Sequence, residues 1–506
     1  MNILKAIQQN SIGYSEKIAF KSEDRSITYG ELWEQSDQLA AYLLKQSSQA
    51  KSPIIVYGHM KPEVLISFLG SVKSGHPYIP VDVSIPFERI NKIIESSQAE
   101  FLIATEDMSC EMFSKHPIKI IKEMELKKLL VDDAEKSSSK HWVQGNDNFY
   151  IIYTSGSTGN PKGVQISANN LSSFVDWMLV DFPIEREQTF LNQAPFSFDL
   201  SVMDLYPSLC SGGTLFAVTK EMIANPKVLF EGLSQSDIEV WTSTPSFAQL
   251  CLMEPSFRQE LLPNLRTFLF CGEILPVNLA KQLQKRFPNA RIFNLYGPTE
   301  ATVAITKLEI TKEIADSHTV LPIGHCKQDT ELLVVDENGA PVAEGEKGEL
   351  IILGPSVSKG YLGSPELTEK SFGIMNNKQA YTTGDAGYKK GGLYYYLGRL
   401  DFQVKVHGYR MELEEIEYSI AQSNYVKSCI VEPVYREEKV DYLTAYIVTN
   451  EHSFEKEYQL TAALRKELSN LLPAYMIPRK FTYLDQLPMT ANGKVDRKLL
   501  ATGVLA

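Results

Sequence analysis

The fold class is indicated most directly by Tyr153-Thr-Ser-Gly-Ser-Thr-Gly-Asn-Pro-Lys-Gly163, which follows the apolar, strand-like run Phe-Tyr-Ile-Ile at 149–152. The glycines let the backbone approach a ligand closely, and the hydroxyls can donate hydrogen bonds to phosphate oxygens. A Walker A loop would have Gly-Lys-Ser/Thr, whereas Lys162 lies between proline and glycine, which disfavours kinase-type chemistry. We predict a strand followed by a triphosphate-binding loop, and the alternative is a flexible Ser/Gly linker. The predicted phosphate-binding residues are Thr154, Ser155, Gly156, Ser157, Thr158, Gly159 and Lys162.

The chain around this loop divides into regions of different periodicity. Short apolar runs at 53–57, 238–241 and 268–270 alternate with helix-like stretches up to about residue 300, which predicts parallel βαβ layers. After residue 320, Asn338-Gly339 and Gly391-Gly392 separate strand-like runs and predict hairpins. We expect an α/β fold with a large N-terminal domain (1–400), which includes a β-barrel-like subdomain at about 320–400, and a small mobile α+β domain (401–506).

Composition excludes several classes of function. With 506 residues, the chain exceeds what one core usually supports. A net charge of -12 argues against nucleic acid as a partner. Six cysteines without CxxC pairs signal neither a zinc site nor a disulfide framework. Since no signal-like start and no run of 18 apolar residues is present, we expect no membrane span and a cytoplasmic location.

Further motifs accompany the loop and carry a resemblance to a known family. They are Asn294-Leu-Tyr-Gly-Pro-Thr-Glu300, Tyr381-Thr-Thr-Gly-Asp385, Gly398-Arg-Leu-Asp401 and Asn492-Gly-Lys494. In this order, the motifs resemble the adenylate-forming superfamily, which includes acyl-CoA synthetases, luciferases and the adenylation domains of peptide synthetases. The resemblance spans nearly the whole chain. One departure is Thr382, where many relatives have arginine.

A narrower likeness concerns the substrate. Stretches at 56–82, 192–207, 270–277 and 398–417 are similar to family members that activate D-alanine. The resemblance implies that ATP converts D-alanine to D-alanyl-AMP with release of diphosphate. The D-alanyl group would then pass to the phosphopantetheine thiol of a small acidic D-alanyl carrier protein, for D-alanylation of lipoteichoic acid. We expect a monomer.

The family pattern also implies a nucleotide site with Mg²⁺. Asp385 would accept hydrogen bonds from the ribose hydroxyls, although an Asx-type turn is the alternative. Arg399 would contact the ribose or a phosphate, or else form a surface salt bridge. Glu300 would be the Mg²⁺ partner, since Mg²⁺ that bridges phosphates often takes only one or two protein carboxylates. The remaining nucleotide contacts implied by the resemblance are Asn294, Leu295, Tyr296, Gly297, Pro298, Thr299, Tyr396, Leu397 and Gly398.

Asp199 indicates an amino acid as the substrate. By resemblance it holds the α-ammonium, because a carboxylate in an apolar pocket requires a cation, which a fatty acid lacks. The alternative is a helix cap. By resemblance to the family, Cys271 and Val303 would form walls of the D-alanine pocket. The alternative for both residues is ordinary core packing.

Lys494 resembles the family's catalytic lysine, which bridges the α-phosphate and the substrate carboxylate. A solvated loop lysine is the alternative. Asp401 resembles the hinge about which relatives rotate the small domain between the two half-reactions. After the rotation, the loop 406–410 would replace Lys494 beside the adenylate, and the alternative for this loop is an ordinary β-turn. The stretch 479–498 has five basic and two acidic residues and could bind an acidic carrier, and the alternative is a solvated terminal segment. Two other functions stay open: activation of another small amino acid, and nucleotide binding without catalysis.

Overall fold

The computed structural model describes residues 1–22, 25–108, 118–131, 137–156, 159–436, 439–488 and 495–501. The strands in these ranges are β1 (Ile18–Lys21), β2 (Ser26–Thr28), β3 (Ile54–Tyr57), β4 (Tyr78–Val81), β5 (Phe101–Ala104), β6 (Lys119–Ile121), β7 (Asn148–Thr154), β8 (Lys162–Ser167), β9 (Thr189–Asn192), β10 (Thr214–Ala217), β11 (Val240–Ser243), β12 (Thr267–Phe270), β13 (Arg291–Tyr296), β14 (Thr306–Glu309), β15 (His325–Cys326), β16 (Glu331–Val335), β17 (Gly348–Leu353), β18 (Phe372–Met375), β19 (Lys378–Lys390), β20 (Leu393–Arg399), β21 (Gln403–Val406), β22 (Tyr409–Glu412), β23 (Val426–Arg436), β24 (Lys439–Thr449) and β25 (Lys480–Tyr483). The α-helices are α1 (Ile3–Gly13), α2 (Tyr29–Gln46), α3 (Pro62–Lys73), α4 (Phe87–Ser97), α5 (Glu123–Leu129), α6 (Ala168–Asp181), α7 (Val202–Ser211), α8 (Lys220–Ala224), α9 (Pro226–Ser234), α10 (Pro245–Cys251), α11 (Val277–Arg286), α12 (Lys312–Ser317), α13 (Pro365–Ser371), α14 (Leu413–Ala421), α15 (Glu457–Leu471) and α16 (Arg497–Ala501).

The chain forms two compact units. The first comprises Met1–Val83, Ile94–Ile152 and Gly163–Leu400. The second comprises Ser84–Ile93, Tyr153–Lys162 and Asp401–Ala506. The second unit therefore contains two short segments from the first half of the chain, one of which is most of the predicted phosphate loop. The expected division into 1–400 and 401–506 stays a prediction.

Two large sheets form the frame of the first unit. One has nine strands in the order β15-β14-β13-β12-β11-β9-β10-β1-β2, and the other has six in the order β6-β5-β3-β4-β7-β8. Strands β1, β10, β9, β11, β12 and β13 run parallel, as do β6, β5, β3, β4 and β7. Phe190 and Val240 pack into one apolar cluster while Leu191 and Trp241 pack into another. The nine-stranded sheet is thus buried on both faces, which explains the continuous apolar runs.

Helix α7 lies against strands β9 and β10, and all its residues are buried. It continues a short 3-10 helix, Asp199–Ser201. Gly212 ends α7 in the left-handed conformation, with φ 74°, which a side chain would disfavour. Asp204, in the first turn of α7, accepts a hydrogen bond from Asn192, the last residue of β9.

A third sheet in the first unit is antiparallel. Its order is β16-β17-β19-β18, and β20 pairs with the long strand β19. Gly391 and Gly392 connect β19 to β20 with φ of 59° and 80°, so the predicted hairpin turn is confirmed and uses a conformation that suits glycine. Among the described residues these pairings do not close on themselves, so the expected barrel-like subdomain is an open sheet.

The second unit contains its own α+β layer. Its sheet has the order β22-β21-β24-β23, with β25 paired to β24. Helices α14 and α15 contribute Ile416, Leu460 and Leu464 to the core of this layer. The succession of strands, helix, hairpin and helix agrees with the order predicted after residue 401. No helix in the described ranges is both long and apolar enough to cross a membrane.

Candidate active site

The predicted phosphate loop begins where β7 ends. Ser155 and Gly156 follow the strand, and Gly159 has φ 75°, a backbone geometry that favours glycine. Lys162 starts β8. Ser157 and Thr158 lie outside the described residues. The loop thus has the strand–turn–strand setting in which backbone amides can point towards an anion.

Acidic side chains of the second unit contact the donors of this loop. The Gly156 amide donates to Glu415 Oε2 at 3.1 Å, and Lys162 Nζ donates to Glu412 Oε1 at 3.2 Å. Arg89 also pairs with Glu415, and both side chains are almost completely buried. Ser155 Oγ donates to the backbone oxygen of Arg410 at 3.2 Å. Carboxylate oxygens therefore occupy positions at which phosphate oxygens could be bound.

A buried cluster surrounds Asp385 in the first unit. The Tyr296 hydroxyl donates to Asp385 Oδ2 at 2.5 Å, and Arg399 donates to Asp385 Oδ1 at 2.9 Å and to the oxygen of Thr383 at 2.6 Å. Burial, and then the charge of Asp385, hold the pKa of Tyr296 well above its usual range. Tyr396 lies 5.9 Å from Tyr296 between ring centroids. Because Arg399 and Asp385 are both largely buried, their pair is not a surface salt bridge.

Glu300 is fully buried in a 3-10 helix, Thr299–Ala301. The Tyr361 hydroxyl donates to Glu300 Oε1 at 2.8 Å. Within the described ranges, no group of three or more His, Cys, Asp or Glu side chains could hold a metal ion. A single oriented carboxylate fits Mg²⁺ that takes its other ligands from phosphate and water.

The segment after Glu300 has an unusual backbone. Thr302 and Val303 have φ of 58° and 71°, which is strained for β-branched residues. The Thr302 hydroxyl fixes this conformation by donating to the oxygen of Ser356 at 2.7 Å. A Cβ on Gly297 would lie 2.5 Å from the Cα of Ala304. Glycine at 297 is therefore required by the close approach of this strained segment.

The structure brings together the two predicted pocket walls. Cys271 Sγ lies 3.8 Å from the backbone oxygen of Val303, and both residues are buried. Gly272, next to this cysteine, has φ 90°. The strained backbone thus directs a carbonyl towards the position from which Cys271 projects. Such a carbonyl can accept a hydrogen bond from a small polar ligand.

Asp199 is half-buried and is the first residue of its 3-10 helix, whose N-cap is Phe198. Asp199 is therefore in the first turn of this segment, one residue after the N-cap. Burial raises the pKa of Tyr150, and the charge of Asp199 adds to this rise. Asp199 therefore lies close enough to affect the Tyr150 hydroxyl electrostatically.

Several predicted site residues contact other parts of the protein or lie outside the described residues. The Asn294 amide donates to the oxygen of Pro322 at 2.9 Å, so its side chain has a structural partner. Lys494 lies outside the described residues. Arg497, counted in the basic stretch, pairs with Glu417 and Glu432, so its charge is compensated within the second unit. Leu397 is 44% exposed.

Sequence reasoning missed the side chains that position the predicted ones. Tyr361, Glu412 and Glu415 belong to no short motif with a known chemical meaning. Their partners are distant in sequence: Tyr361 and Glu300 are 61 residues apart, whereas Glu415 and Gly156 are 259 apart. For Glu412 and Glu415 the sequence offered the acidic run at 412–417 and the wider stretch 398–417, and neither indicates a partner.

Comparison with known proteins assigns the family. Residues 7–362 match the AMP-binding enzyme family, and residues 415–494 match the AMP-binding enzyme C-terminal domain. A D-alanine–D-alanyl carrier protein ligase of Bacillus licheniformis is 59% identical over 500 residues, which cover 99% of each chain. A protein of the same name from Bacillus cereus is 55% identical over the full length of both chains.

Solved structures share the fold. An o-succinylbenzoate CoA synthetase from Bacillus subtilis has a TM-score of 0.85 at 21% identity and covers 98% of each chain. The Vibrio cholerae adenylation domain AlmE, in complex with glycyl-adenosine-5'-phosphate, has a TM-score of 0.82 at 24% identity, with coverage of 99% and 97%. These likenesses confirm the predicted fold class. The chain belongs to the AMP-binding enzymes and, within them, to the family of D-alanine–D-alanyl carrier protein ligases.

Proposed function

We propose that the protein activates D-alanine with ATP to form D-alanyl-AMP and diphosphate. It then transfers the D-alanyl group to the phosphopantetheine thiol of a small acidic carrier protein, which supplies lipoteichoic acid with D-alanine. The observation that carries this proposal is the 59% identity to a D-alanine–D-alanyl carrier protein ligase across 99% of both chains. Because the reaction consumes ATP, we propose that it takes place in the cytosol.

Nucleotide binding is divided among several groups in this proposal. Residues 154–159 and Lys162 hold the triphosphate, while residues 294–299 contact the adenine and α-phosphate. Asp385 accepts hydrogen bonds from the ribose hydroxyls. The hydrogen bonds that Tyr296 and Arg399 donate to its carboxylate hold that group in one orientation. Residues 396–398 complete this contact. Because these two donors already fix the Asp385 side chain, less conformational entropy is lost when the nucleotide binds, which favours affinity for ATP.

Glu300 is the proposed protein ligand for Mg²⁺, and its hydrogen bond from Tyr361 fixes one carboxylate oxygen. When bound, the ion would offset charge on the phosphate oxygens. A hydrogen-bonded carboxylate ligand is well oriented for this purpose. The remaining ligands would come from ATP and water.

D-Alanine binding requires recognition of both its charges and its methyl group. Asp199 pairs with the α-ammonium, and Cys271 with Val303 forms the wall beside the methyl group. Lys494 bridges the α-phosphate and the substrate carboxylate, which brings two anions together for in-line displacement of diphosphate. Rotation at Asp401 then admits the carrier thiol, which attacks the acyl carbon and releases AMP.

Amino-acid-dependent exchange of labelled diphosphate into ATP tests the first half-reaction. We expect D-alanine to support exchange much better than L-alanine, glycine or serine. The variant Asp199→Ala should lose D-alanine-dependent exchange and still bind ATP. If another amino acid supported exchange equally well, D-alanine would not be the specific substrate. If neither AMP nor diphosphate formed, the protein would not be a catalyst of this reaction.

Loading of labelled D-alanine onto a purified carrier tests the second half-reaction. The phosphopantetheinylated carrier should be labelled, and a carrier whose modified serine is replaced by alanine should not. Labelling of both carriers would contradict transfer to the phosphopantetheine thiol.

A further inference from the structure

A fully buried carboxyl group lies on the helix that follows Asp199. Asp204 is on α7, and its Oδ1 accepts a hydrogen bond from Asn192 Nδ2 at 3.0 Å. Asn192 is the last residue of β9 and is itself fully buried. Its Nδ2 also donates to the oxygen of Ala194 at 3.3 Å. One amide thus connects the strand end, the following loop and the helix.

This link closes the loop that carries Asp199. Residues 193–198 leave β9, and Asp199 starts the helical segment that continues into α7. Asp199 and Asp204 are separated by roughly 8 Å along that helical segment. Within the loop, the Phe198 amide donates to the oxygen of Pro195 at 2.9 Å, and Ser201 Oγ donates to the oxygen of Phe198 at 2.7 Å. The loop is therefore fixed locally at its tip and by Asp204 at its base.

Burial of Asp204 favours the neutral form of its carboxyl group. Burial raises its pKa well above the usual range, although hydrogen bonds from Asn192 and from backbone amides oppose this rise. Among the described residues, Asp204 Oδ2 has no hydrogen-bond partner, and an ionised group in that environment would be costly. A neutral group can hold the loop without competing with Asp199 for a substrate cation.

We propose that the Asp204–Asn192 hydrogen bond positions the 193–199 loop so that Asp199 can receive the ammonium of the substrate. Asp204 is thus a positioning residue that does not touch D-alanine. The inference rests on the proposed function, because it assumes that Asp199 binds the ammonium. It assigns Asp204 to substrate affinity and not to the chemical step.

The variants Asp204→Ala and Asn192→Ala test this link from its two ends. Each should raise KM for D-alanine about tenfold in diphosphate exchange, which corresponds to about 1.4 kcal/mol, and should leave kcat and KM for ATP within threefold. The double variant should be no worse than Asn192→Ala alone, because Asn192→Ala already removes the hydrogen bond to Asp204 together with the one to Ala194. Asp204→Asn should stay within threefold of wild type, since an amide can replace a neutral carboxyl group.

Ser208→Ala is the matched control. Ser208 is a buried residue of the same helix, and its hydroxyl donates to the oxygen of Leu205 at 3.0 Å, away from the loop. The control variant should keep the wild-type KM for D-alanine. A purely structural role of Asp204 would lower Tm and leave KM for D-alanine unchanged.

The outcomes separate this inference from the proposed function. If wild type shows no D-alanine-dependent exchange, the proposed function fails and the inference fails with it. If wild type is active and Asp199→Ala is not, a wild-type KM in folded Asp204→Ala overturns the inference alone. Should Asp204→Ala not fold, a wild-type KM in Asn192→Ala, or a tenfold rise in Asp204→Asn, overturns it equally.

Discussion

Replacing Glu415 by glutamine should strengthen ATP binding while it weakens the fold of the second unit. Glu415 accepts a hydrogen bond from the Gly156 amide at 3.1 Å and pairs with Arg89. If the loop binds triphosphate, ATP must displace this carboxylate from the amide. The variant keeps the shape of the side chain and removes its charge. It should therefore lower the free-energy cost of displacing the side chain from the Gly156 amide when ATP binds.

The size of the effect follows from the two contacts. A hydrogen bond to a charged group contributes about 1.5–3 kcal/mol and a neutral one about 0.5–1.5 kcal/mol. Loss of charge at the Gly156 contact should therefore favour ATP by about 1 kcal/mol, or roughly fivefold in Kd. Arg89 is only 6% exposed and loses a charged partner, so the free energy of unfolding should fall by about 1–3 kcal/mol.

Calorimetric titration with ATP in the absence of D-alanine measures the first effect, and thermal unfolding measures the second. Glu457→Gln is the control, because it removes the same charge from an exposed position at the start of α15. That variant should change neither Kd for ATP nor Tm appreciably. The opposite signs of the two Glu415 effects distinguish displacement from a general electrostatic change.

Two results would refute the reasoning. Weaker ATP binding in a folded Glu415→Gln protein would mean that Glu415 supports the nucleotide site and does not compete with it. Identical changes in Glu415→Gln and Glu457→Gln would mean that net charge alone explains the affinity. Either result would exclude displacement of Glu415 from the Gly156 amide as a step in ATP binding.

Further changes have expected outcomes. Lys494→Ala should slow D-alanine-dependent exchange by about 10²-fold, the usual effect of losing one charge-stabilising donor, with a smaller effect on transfer from preformed D-alanyl-AMP; near-normal exchange would contradict its role. Gly297→Ala should lower Tm and reduce kcat/KM for D-alanine at least tenfold, because its Cβ would lie 2.5 Å from the Cα of Ala304; unchanged kinetics would show that the segment adjusts freely. Burial opposes ionisation of Asp82, but the hydrogen bond from His59 and nearby positive charge lower its pKa. Asp82 therefore contributes stability above its unfolded pKa near 4, so Asp82→Asn should lower Tm equally at pH 6 and pH 5, with a difference that shrinks below pH 4; a constant difference would exclude this linkage.

The sequence predicted those parts of the fold that depend on neighbouring residues. The run at 149–152 lies within β7, and Gly391-Gly392 forms the β19–β20 turn. Both follow from local chemistry: apolar runs suit strands buried on both faces, and paired glycines accept positive φ. The loop after β7 was recognisable for the same reason.

Contacts across long stretches of chain could not be predicted in this way. Tyr296 and Asp385 are 89 residues apart, yet their oxygens lie 2.5 Å apart. Neither residue has a local pattern that specifies the other, because the pairing depends on how β13 and β19 are placed. Asp204 and Asn192 are only 12 residues apart, but their contact depends on α7 folding back on β9. Sequence patterns indicate the chemical type of such side chains, and the fold determines their partners.

The strained segment explains why local reasoning fails where function is expected. Threonine and valine disfavour positive φ, so sequence alone would place residues 302–303 in extended structure. The fold imposes the other conformation through the Thr302 hydrogen bond to Ser356 and the absence of a Cβ at Gly297. A conformation against local preference persists only where its surroundings over-determine it. Its position beside Glu300 and Cys271, two residues proposed to serve catalysis and specificity, agrees with the general tendency of local rules to fail at functional sites.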